Sequence, residues 1–299
     1  MDMLHITGLQ KRFGDKEVLK GLELSVQEYS VFGFIGKNGS GKTTTMKTVL
    51  GLLKADAGEI TVADEKVVYG QTATNRHIGY LPDVPEFYSF MTAPEYLSFC
   101  GEITGMSKAE IKGRSAELLA LVGLGGEKHR IKGFSRGMKQ RLGIAQALLN
   151  RPKLLICDEP TSALDPVGRK EILDILLAVR EQTTVLFSTH ILSDVERICT
   201  DVAFLHGGIV RMQGKLSDIK STYRTEEYTL ETEDEAGLQV LMQTFAGLRK
   251  SGRNSACFGE SEHSLFEVLR FVTEEQIHLL KIERIEPTLE SLFMEVVEK

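Results

Sequence analysis

The sequence predicts an α/β protein with a parallel core sheet, followed by a small α+β domain. Val31–Ile35 is a continuous apolar run, which is typical of a strand buried on both faces. Residues 154–157 and 185–187 are two further runs of this kind, and helical patterns lie between the three. Strands that alternate with helices along the chain indicate a parallel sheet with helices packed on it.

The remaining segments of the first domain follow from their periodicity. Residues 3–30 alternate apolar and polar side chains in short runs, which predicts strands with one buried face. The segment from about 84 to 150 is mostly helical in pattern and predicts an inserted helical lobe. A Gly207-Gly208 turn ends the last strand pair, so we expect the first domain to span residues 1–220.

Residues 221–299 form a second, acidic module. They carry 8 basic and 16 acidic groups, whereas residues 1–220 carry 28 and 26. This charge argues against a nucleic-acid surface. Three helical stripes predict a folded α+β domain: Leu238, Leu241, Met242 and Phe245; Leu265, Val268, Leu269 and Val272; and Leu289, Leu292, Phe293 and Val296. The module has no glycine-rich loop and no paired carboxylates, so we expect it to regulate or brace the first domain rather than to catalyse.

Composition also limits where the protein works. The longest stretch without Asp, Glu, Lys or Arg is residues 236–248, which is too short for a membrane-spanning helix of about 20 residues. The N-terminus has neither a basic segment nor an apolar segment of a secretion signal. The four cysteines have no metal-ligand spacing. A reduced, cytoplasmic protein is the expectation.

A glycine-rich turn follows the buried strand at Val31–Ile35 and fits the pattern GxxxxGK followed by Ser or Thr. Glycines let backbone N–H groups curl around a phosphate, and the helix that follows directs its positive end at the same anion. The pattern predicts that Lys42 reaches the β- and γ-phosphates and that the Thr43 hydroxyl binds Mg²⁺. The predicted ATP-binding residues here are Gly36, Lys37, Asn38, Gly39, Ser40, Gly41, Lys42, Thr43 and Thr44.

Two carboxylates end the buried run at 154–157. Asp158 and Glu159 would be costly to bury unless they are paired or metal-bound. Because a phosphate loop is present, we predict that Asp158 holds Mg²⁺ through water and that Glu159 polarises the attacking water.

A third motif lies between these two and resembles the signature of a known family. Ser135 is a good helix N-cap, and the segment Phe134-Ser135-Arg136-Gly137-Met138 resembles the LSGGQ signature of the ATP-binding cassette (ABC) family. Further landmarks follow in the family's order. Residues 162–165, ending in Asp165, resemble the D-loop, and residues 188–190 resemble the switch histidine motif. Phe13 stands where these proteins stack an aromatic ring on adenine. The simpler alternative for Phe13 is an aromatic residue of the core or of a hairpin.

The resemblance covers residues 3 to about 220. It implies a P-loop NTPase cassette, with a parallel core sheet, an antiparallel β subdomain and an inserted helical lobe. It also implies that two subunits, as a homodimer or a heterodimer, enclose two ATP molecules between the phosphate loop of one and the Ser135, Gly137 and Asp165 region of the other. His190 would then contact the γ-phosphate or the attacking water.

Two departures from the family pattern stand out. The lid strand is followed by Asp83 where the family usually has Gln, and Asp can bind Mg²⁺ but cannot donate a hydrogen bond as the Gln amide can. The signature has Arg136 for the first glycine and Met138 for the terminal Gln. With these features the chain is most similar to the ATPase subunits of bacterial two-component exporters, which implies a separately encoded membrane permease and a place on the inner face of the cell membrane.

Alternatives within the same superfamily remain. A DNA-maintenance ATPase needs a long coiled coil between phosphate loop and signature, but Lys42 and Ser135 are only 93 positions apart. Ribosome-associated proteins usually carry two cassettes in one chain, and this chain has one. A soluble ABC-type ATPase with a regulatory, non-transport role stays open beside the exporter hypothesis.

Overall fold

The computed structural model describes residues 2–71, 73–223, 226–285 and 288–298. The chain divides into two compact units. One comprises Met1–Ser217 together with Glu295–Lys299, and the other comprises Asp218–Met294. Each is described by itself below.

The first unit is built on a six-stranded sheet that confirms the predicted α/β core. Its strands, in chain order, are β3 (Val31–Ile35), β6 (Ile78–Leu81), β7 (Leu154–Asp158), β8 (Thr184–Thr189), β9 (Asp201–His206) and β10 (Ile209–Lys215). The order across the sheet is β10-β9-β3-β8-β7-β6, and only the β9–β10 pair in it is antiparallel. Because β3, β7 and β8 are parallel neighbours, their carboxyl ends meet at one edge of the sheet, where the phosphate-loop and carboxylate motifs begin.

A second sheet of this unit is antiparallel. It comprises β1 (Asp2–Phe13), β2 (Lys16–Gln27), β4 (Ala57–Val62) and β5 (Glu65–Lys66), in the order β2-β1-β4-β5. The alternating segment 3–30 therefore forms strands, and its apolar positions Leu22, Leu24 and Val26 are buried in the core, as predicted.

The helices of the first unit are short. They are α1 (Lys42–Val49), α2 (Ala93–Ile103), α3 (Lys108–Leu121), α4 (Arg136–Ala147), α5 (Pro166–Val179) and α6 (Leu192–Ile198), and α7 (Leu216–Thr222) spans the division between the units. Helices α2, α3 and α4 all fall within residues 84–150, and capping boxes at Thr92 and Ser107 fix the starts of the first two. Within the described ranges, no helix has the length and apolar content to cross a bilayer.

The second unit is a small α+β fold, as predicted. Its elements are β11 (Glu227–Thr232), α8 (Glu235–Thr244), β12 (Arg249–Lys250), β13 (Ser255–Gly259), α9 (Leu265–Glu274) and β14 (Leu279–Arg284). Helix α10 (Leu289–Glu298) follows and, like α7, spans the division between the units. The antiparallel sheet has the order β12-β13-β11-β14. This βαββαβ arrangement is ferredoxin-like.

Two of the three helical stripes predicted for the second unit supply its core. Leu238 and Leu241 of α8 and Val268 and Val272 of α9 are buried in one cluster with the sheet residues Leu230, Ala256 and Phe258. In the third stripe Leu289, Leu292 and Phe293 are buried, while the side chain of Val296 lies outside the described residues.

Candidate functional site

The loop between β3 and α1 forms a tight turn at the start of a helix. Gly39 and Gly41 have φ angles of 79° and 115°, in the left-handed region that favours glycine. Gly41 is the N-cap of α1 and makes no side-chain capping bond. A Cβ atom at Gly41 would lie 2.7 Å from Leu19 Cδ2. The first N–H groups of a helix have no intrahelical partner, so this turn suits an anion.

Lys42 begins α1 with a side chain that is only 6% exposed. Its Nζ donates a hydrogen bond to the Gly36 carbonyl at 2.6 Å and lies 3.0 Å from Glu159 Oε1. A buried ammonium group needs such partners to offset the loss of water. These contacts hold the positive charge of Lys42 between the phosphate loop and the carboxyl end of β7.

Asp158 is the last residue of β7 and is almost fully buried. Thr43 Oγ1 donates to its Oδ2 at 2.7 Å, and Ser188 Oγ donates to its Oδ1 at 2.6 Å. Ser188 lies directly opposite Asp158 in the parallel register of β7 and β8. A hydroxyl and a carboxylate therefore meet at the start of α1, and oxygen atoms of this kind are the ligands that Mg²⁺ prefers.

Glu159 connects this centre to the loop after β8. Its Oε2 lies 2.9 Å from His190 Nδ1, and its N–H donates to Ser188 Oγ at 3.0 Å. Its φ is +48°, a conformation that costs a non-glycine residue energy and persists only when the surroundings fix it. The Glu159 carboxylate is thus held between Lys42 on one oxygen and His190 on the other.

One pocket of about 400 Å³ unites most of the predicted site. The predicted residues that line it are Asn38, Gly39, Gly41, Lys42, Thr43, Thr44, Asp83, Asp158, Glu159 and His190. Gly36, Lys37 and Ser40 belong to the same loop without lining the pocket. The Ser40 hydroxyl is buried without a hydrogen-bond partner, an unusual state for a polar atom that leaves its capacity free for a ligand.

The carboxylates give the pocket a negative wall. Burial raises the pKa of Tyr80, which lies on the neighbouring strand β6, to about 12, and the nearby Asp158 charge adds to the shift. Burial also raises the pKa of Asp83 above its ordinary value, and Asp158 and Glu159 act in the same direction. Arg136 opposes that shift. A cation in the pocket would relieve this concentration of negative charge.

Asp83 is tied to helix α4 by two contacts. Its Oδ1 lies 3.3 Å from Arg136 Nη2, and its carbonyl accepts a 2.7 Å hydrogen bond from Gln140 Nε2. Gln140 is fully buried. Two of the three residues that depart from the family pattern, Asp83 and Arg136, therefore form an ion pair with each other.

Ser135 and Gly137 of the signature and Asp165 of the D-loop do not line the pocket of their own chain. Ser135 caps α4 by accepting the Met138 N–H at 3.2 Å, and Asp165 caps α5 by accepting the Gly168 N–H at 3.0 Å. Both residues are exposed and neither lines the pocket. Gly137 faces the D-loop, because a Cβ there would lie 3.9 Å from Leu164 Cδ2.

Phe13 ends β1 and is 49% exposed. It is not a core aromatic, but it pairs with Lys16 at the end of the β1–β2 hairpin, so the alternative of a hairpin aromatic remains. Lys11 Nζ lies over the ring, 5.4 Å from its centroid. Phe13 does not line the pocket. A ring that is half exposed can offer surface for stacking.

Sequence reasoning did not single out Ser188, Ser162, Val18 or Gln140 as site residues. Ser188 bonds both Asp158 and Glu159, while Ser162 and Val18 line the pocket. A signal for Ser188 existed, because a polar residue inside a buried apolar strand needs a polar partner on a neighbouring strand. Nothing comparable in the sequence marks Val18.

Comparisons with known proteins agree with this geometry. Residues 19–162 match the ABC transporter family, and residues 214–297 match the C-terminal domain of DrrA1-3-like ATP-binding proteins. YxlF of Bacillus subtilis, an uncharacterized ABC transporter ATP-binding protein, is 43% identical over 233 residues, which cover 78% of this chain and 77% of YxlF. The linearmycin resistance ATP-binding protein LnrL of Bacillus subtilis is 32% identical over 98% of this chain and 97% of its own length. The bacitracin transport ATP-binding protein BcrA of Bacillus licheniformis is 41% identical over 69% of this chain and 67% of its own.

Solved structures show the same fold. The ATP-binding subunit of an ABC transporter matches with a TM-score of 0.66 and 32% identity, over 74% of this chain and 93% of the other. CbiO1 of Clostridium perfringens, part of the ABC transporter complex cbiONQ, matches with a TM-score of 0.68 and 27% identity, over 74% and 92%. Such subunits work with transmembrane permease partners and are typically membrane-associated through them. The chain belongs to the ABC transporter ATP-binding proteins, the subunits that bind ATP and hydrolyse it to drive transport.

Proposed function

We propose that this subunit hydrolyses ATP in the pocket between the phosphate loop and the carboxyl ends of β7 and β8, and that it thereby powers export. The observation that carries the proposal is the continuous set of contacts around the pocket. Thr43 bonds Asp158, and Lys42 and His190 meet on the Glu159 carboxylate. Residues 36–44 would hold the phosphates, with Lys42 supplying the positive charge.

Mg²⁺ fits the donors that are present. The Thr43 hydroxyl and the Asp158 carboxylate lie 2.7 Å apart, and the Asp83 carboxylate lines the same pocket. Thr43 and Asp158 would hold the ion, and Asp83 would add a ligand if it released Arg136. When bound, Mg²⁺ neutralises charge that develops on the phosphate oxygens.

Glu159 is the general base of the proposal. Its Oε2 would accept the proton of the attacking water, and His190 Nδ1 at 2.9 Å would orient that carboxylate and contact the γ-phosphate. Ser188 fixes the Glu159 backbone, because its hydroxyl accepts the Glu159 N–H. Phe13 would stack on the adenine through its exposed face.

A second ATPase subunit completes each site in this proposal. Ser135 stands at the N-terminus of α4, a helix of twelve residues whose positive end suits an anion. Ser135, Gly137 and Asp165 do not line the pocket of their own chain. They would serve the ATP of a partner subunit, whether identical or different.

The permease would contact the segment that follows the lid strand. Val84, Tyr88 and Phe90 are 61%, 51% and 60% exposed, and a groove of about 420 Å³ beside them includes Asp83, Arg136 and Lys139. Exposed apolar side chains grouped in this way are typical of a protein interface. A permease bound there would act directly on Asp83, at the edge of the ATP pocket.

Export, rather than import, is supported by the names of the relatives, which refer to bacitracin transport and linearmycin resistance. We infer a position on the cytoplasmic face of the membrane. We also infer an ABC domain over residues 1–220 with a helical lobe at about 84–150, and a regulatory or bracing role for residues 221–299.

A chain ending at Lys220 should bind ATP, while its dimerisation or permease-coupled turnover should change. If all three properties match the full chain, the regulatory role is wrong.

Mixing two inactive proteins tests the shared site. In a mixed dimer of Lys42→Ala and Ser135→Arg subunits, one site carries both defects and the other carries neither. Partial recovery of phosphate release is expected, and each variant alone is the control. If mixed dimers form but phosphate release does not recover, then either the sites are not shared between subunits or the two sites do not work independently. Vesicles that contain this subunit and a candidate permease test export, since ATP on the subunit's side should drive substrate to the opposite side.

A further inference from the structure

Behind the Glu159–His190 pair lies a buried cluster that the catalytic proposal does not use. Asp194, in the first turn of α6, has a side chain that is 4% exposed. Thr161 Oγ1 donates to its Oδ2 at 2.7 Å, and Arg169 Nη2 donates to its Oδ1 at 2.5 Å. Thr161 itself is 1% exposed. We call Thr161, Asp194 and Arg169 the Asp194 cluster.

The cluster joins the same two chain segments as the catalytic pair. Thr161 lies two residues after Glu159, and Asp194 lies four residues after His190. The Glu159–His190 contact of 2.9 Å and the Thr161–Asp194 bond of 2.7 Å are therefore two links between the loop after β7 and the segment after β8. Two links at separated points prevent the segments from rotating or sliding past each other, which a single hydrogen bond cannot do.

The backbone near Glu159 depends on such support. Glu159 and Ala163 have φ angles of +48° and +54°, and neither is glycine. A segment with two left-handed residues keeps its shape only where surrounding contacts over-determine it. Thr161 lies between these two residues, and its hydroxyl anchors the segment to a buried carboxylate.

Arg169 compensates the negative charge of the buried Asp194 carboxylate. An unpaired carboxylate as buried as Asp194 would be strongly unfavourable, and Arg169 supplies the compensating charge. Arg169 stands in α5, whose N-cap is Asp165, and its N–H bonds the Asp165 carbonyl at 2.9 Å. The cluster thus ties the start of α5 to the segments that carry Glu159 and His190.

We propose that Thr161, Asp194 and Arg169 are positioning residues that hold Glu159 and His190 at their reactive separation, so that the cluster sets the rate of hydrolysis and not the affinity for ATP. This inference rests on the proposed function of Glu159 and His190. None of the three residues lines the ATP pocket. Their effect on catalysis passes through the two residues that do.

The test removes one hydroxyl. Thr161→Val keeps the shape of the side chain and removes the bond to Asp194, whereas Thr161→Ser keeps the hydroxyl. Thr184→Val is the matched control, because Thr184 is equally buried and its hydroxyl accepts the Tyr29 N–H at the opposite end of β8. Thr161→Val should lower kcat at least tenfold and leave the Kd for Mg·ATP unchanged within twofold. Both Thr161→Ser and Thr184→Val should keep kcat within threefold of the wild type.

A second background separates positioning from general stability. In His190→Ala protein, Thr161→Val should lower the residual kcat by a smaller factor than in the wild type, because one member of the pair that it positions is already absent. An equal fold-loss in both backgrounds, or a kcat of Thr161→Val near that of the wild type, overturns the proposal. Arg169→Lys, which keeps the charge, provides a second measurement should Thr161→Val fail to fold, and it should lower kcat without changing Kd. If the wild type itself shows no hydrolysis dependent on Glu159, the proposed function fails instead.

Discussion

Replacement of Glu159 by Gln tests the role of the carboxylate that joins Lys42 to His190. The amide keeps the shape of the side chain but cannot accept a proton from water. Loss of a general base typically lowers a rate by about 10²–10⁴-fold. At about 1.36 kcal/mol for each factor of ten, the barrier to hydrolysis should rise by about 2.7–5.4 kcal/mol.

The structure also predicts an effect of Glu159→Gln on binding. Lys42 and Glu159 form a buried pair, with side chains that are 6% and 13% exposed. Removing one member of a buried ion pair costs about 3–5 kcal/mol, because the remaining charge is left uncompensated. Phosphate groups would compensate Lys42 again, so the variant should be less stable than the wild type on its own and should gain more stability from Mg·ATP. Its affinity for Mg·ATP should be equal to or higher than that of the wild type.

Three measurements test this prediction of Glu159→Gln. Steady-state phosphate release gives kcat, equilibrium binding gives Kd, and thermal denaturation with and without Mg·ATP gives the stabilisation. Glu181→Gln, an exposed carboxylate after α5, is the control for loss of one charge. A kcat within threefold of the wild type would refute Glu159 as the base. A tenfold weaker affinity would refute the conclusion drawn from the Lys42 pair.

Three further predictions concern the phosphate loop and the lid. Lys42→Ala should weaken Mg·ATP binding about 10- to 100-fold, as expected for losing hydrogen bonds to a charged group, and unchanged binding in equilibrium titrations would contradict the phosphate role. Gly41→Ala should lower the unfolding free energy by more than about 1 kcal/mol, because φ is +115° and the new Cβ would lie 2.7 Å from Leu19 Cδ2. A urea denaturation curve that matches the wild type would contradict this. Asp83→Asn and Arg136→Gln should each change the unfolding free energy by less than about 1 kcal/mol, because both side chains are more than 40% exposed. A double-mutant cycle measured by urea denaturation should give a coupling energy between the two residues that falls as salt is added. A coupling energy that salt leaves unchanged would contradict a partly exposed ion pair.

Much of the fold could be predicted because the signals are local. Val31–Ile35 and residues 154–157 are short apolar runs, which are typical of a strand buried on both faces, and both are strands in the structure. The helix after the phosphate loop and the cap at Ser135 follow from glycine and hydroxyl chemistry at helix ends, and both are observed. In the second unit the helical stripes predicted an α+β core, but not the strand order β12-β13-β11-β14, since pairing between distant strands leaves no local pattern.

The parts of the site that sequence reasoning missed depend on partners that are distant in the chain. Ser188 is 30 positions from Asp158, and its role follows only from the parallel register that sets the two side by side. Thr161 and Asp194 are 33 positions apart, and each alone resembles an ordinary polar residue at the end of a strand or in a helix. Their burial and their contacts, not their types, indicate a function.

Asp83 and Arg136 show how a departure from a family pattern can be understood only in the structure. Each substitution alone weakens the resemblance, since an acid replaces the lid Gln and a cation replaces a signature glycine. Together they place opposite charges 3.3 Å apart, on the lid and on the helix that Ser135 caps. Asp83 of the lid lines the pocket that contains Lys42 and Asp158 of its own chain, whereas Ser135 does not line it. If Ser135 serves a partner's ATP, this ion pair links the two sites within one subunit, and a Mg²⁺ that drew Asp83 away from Arg136 would change the charge next to the signature.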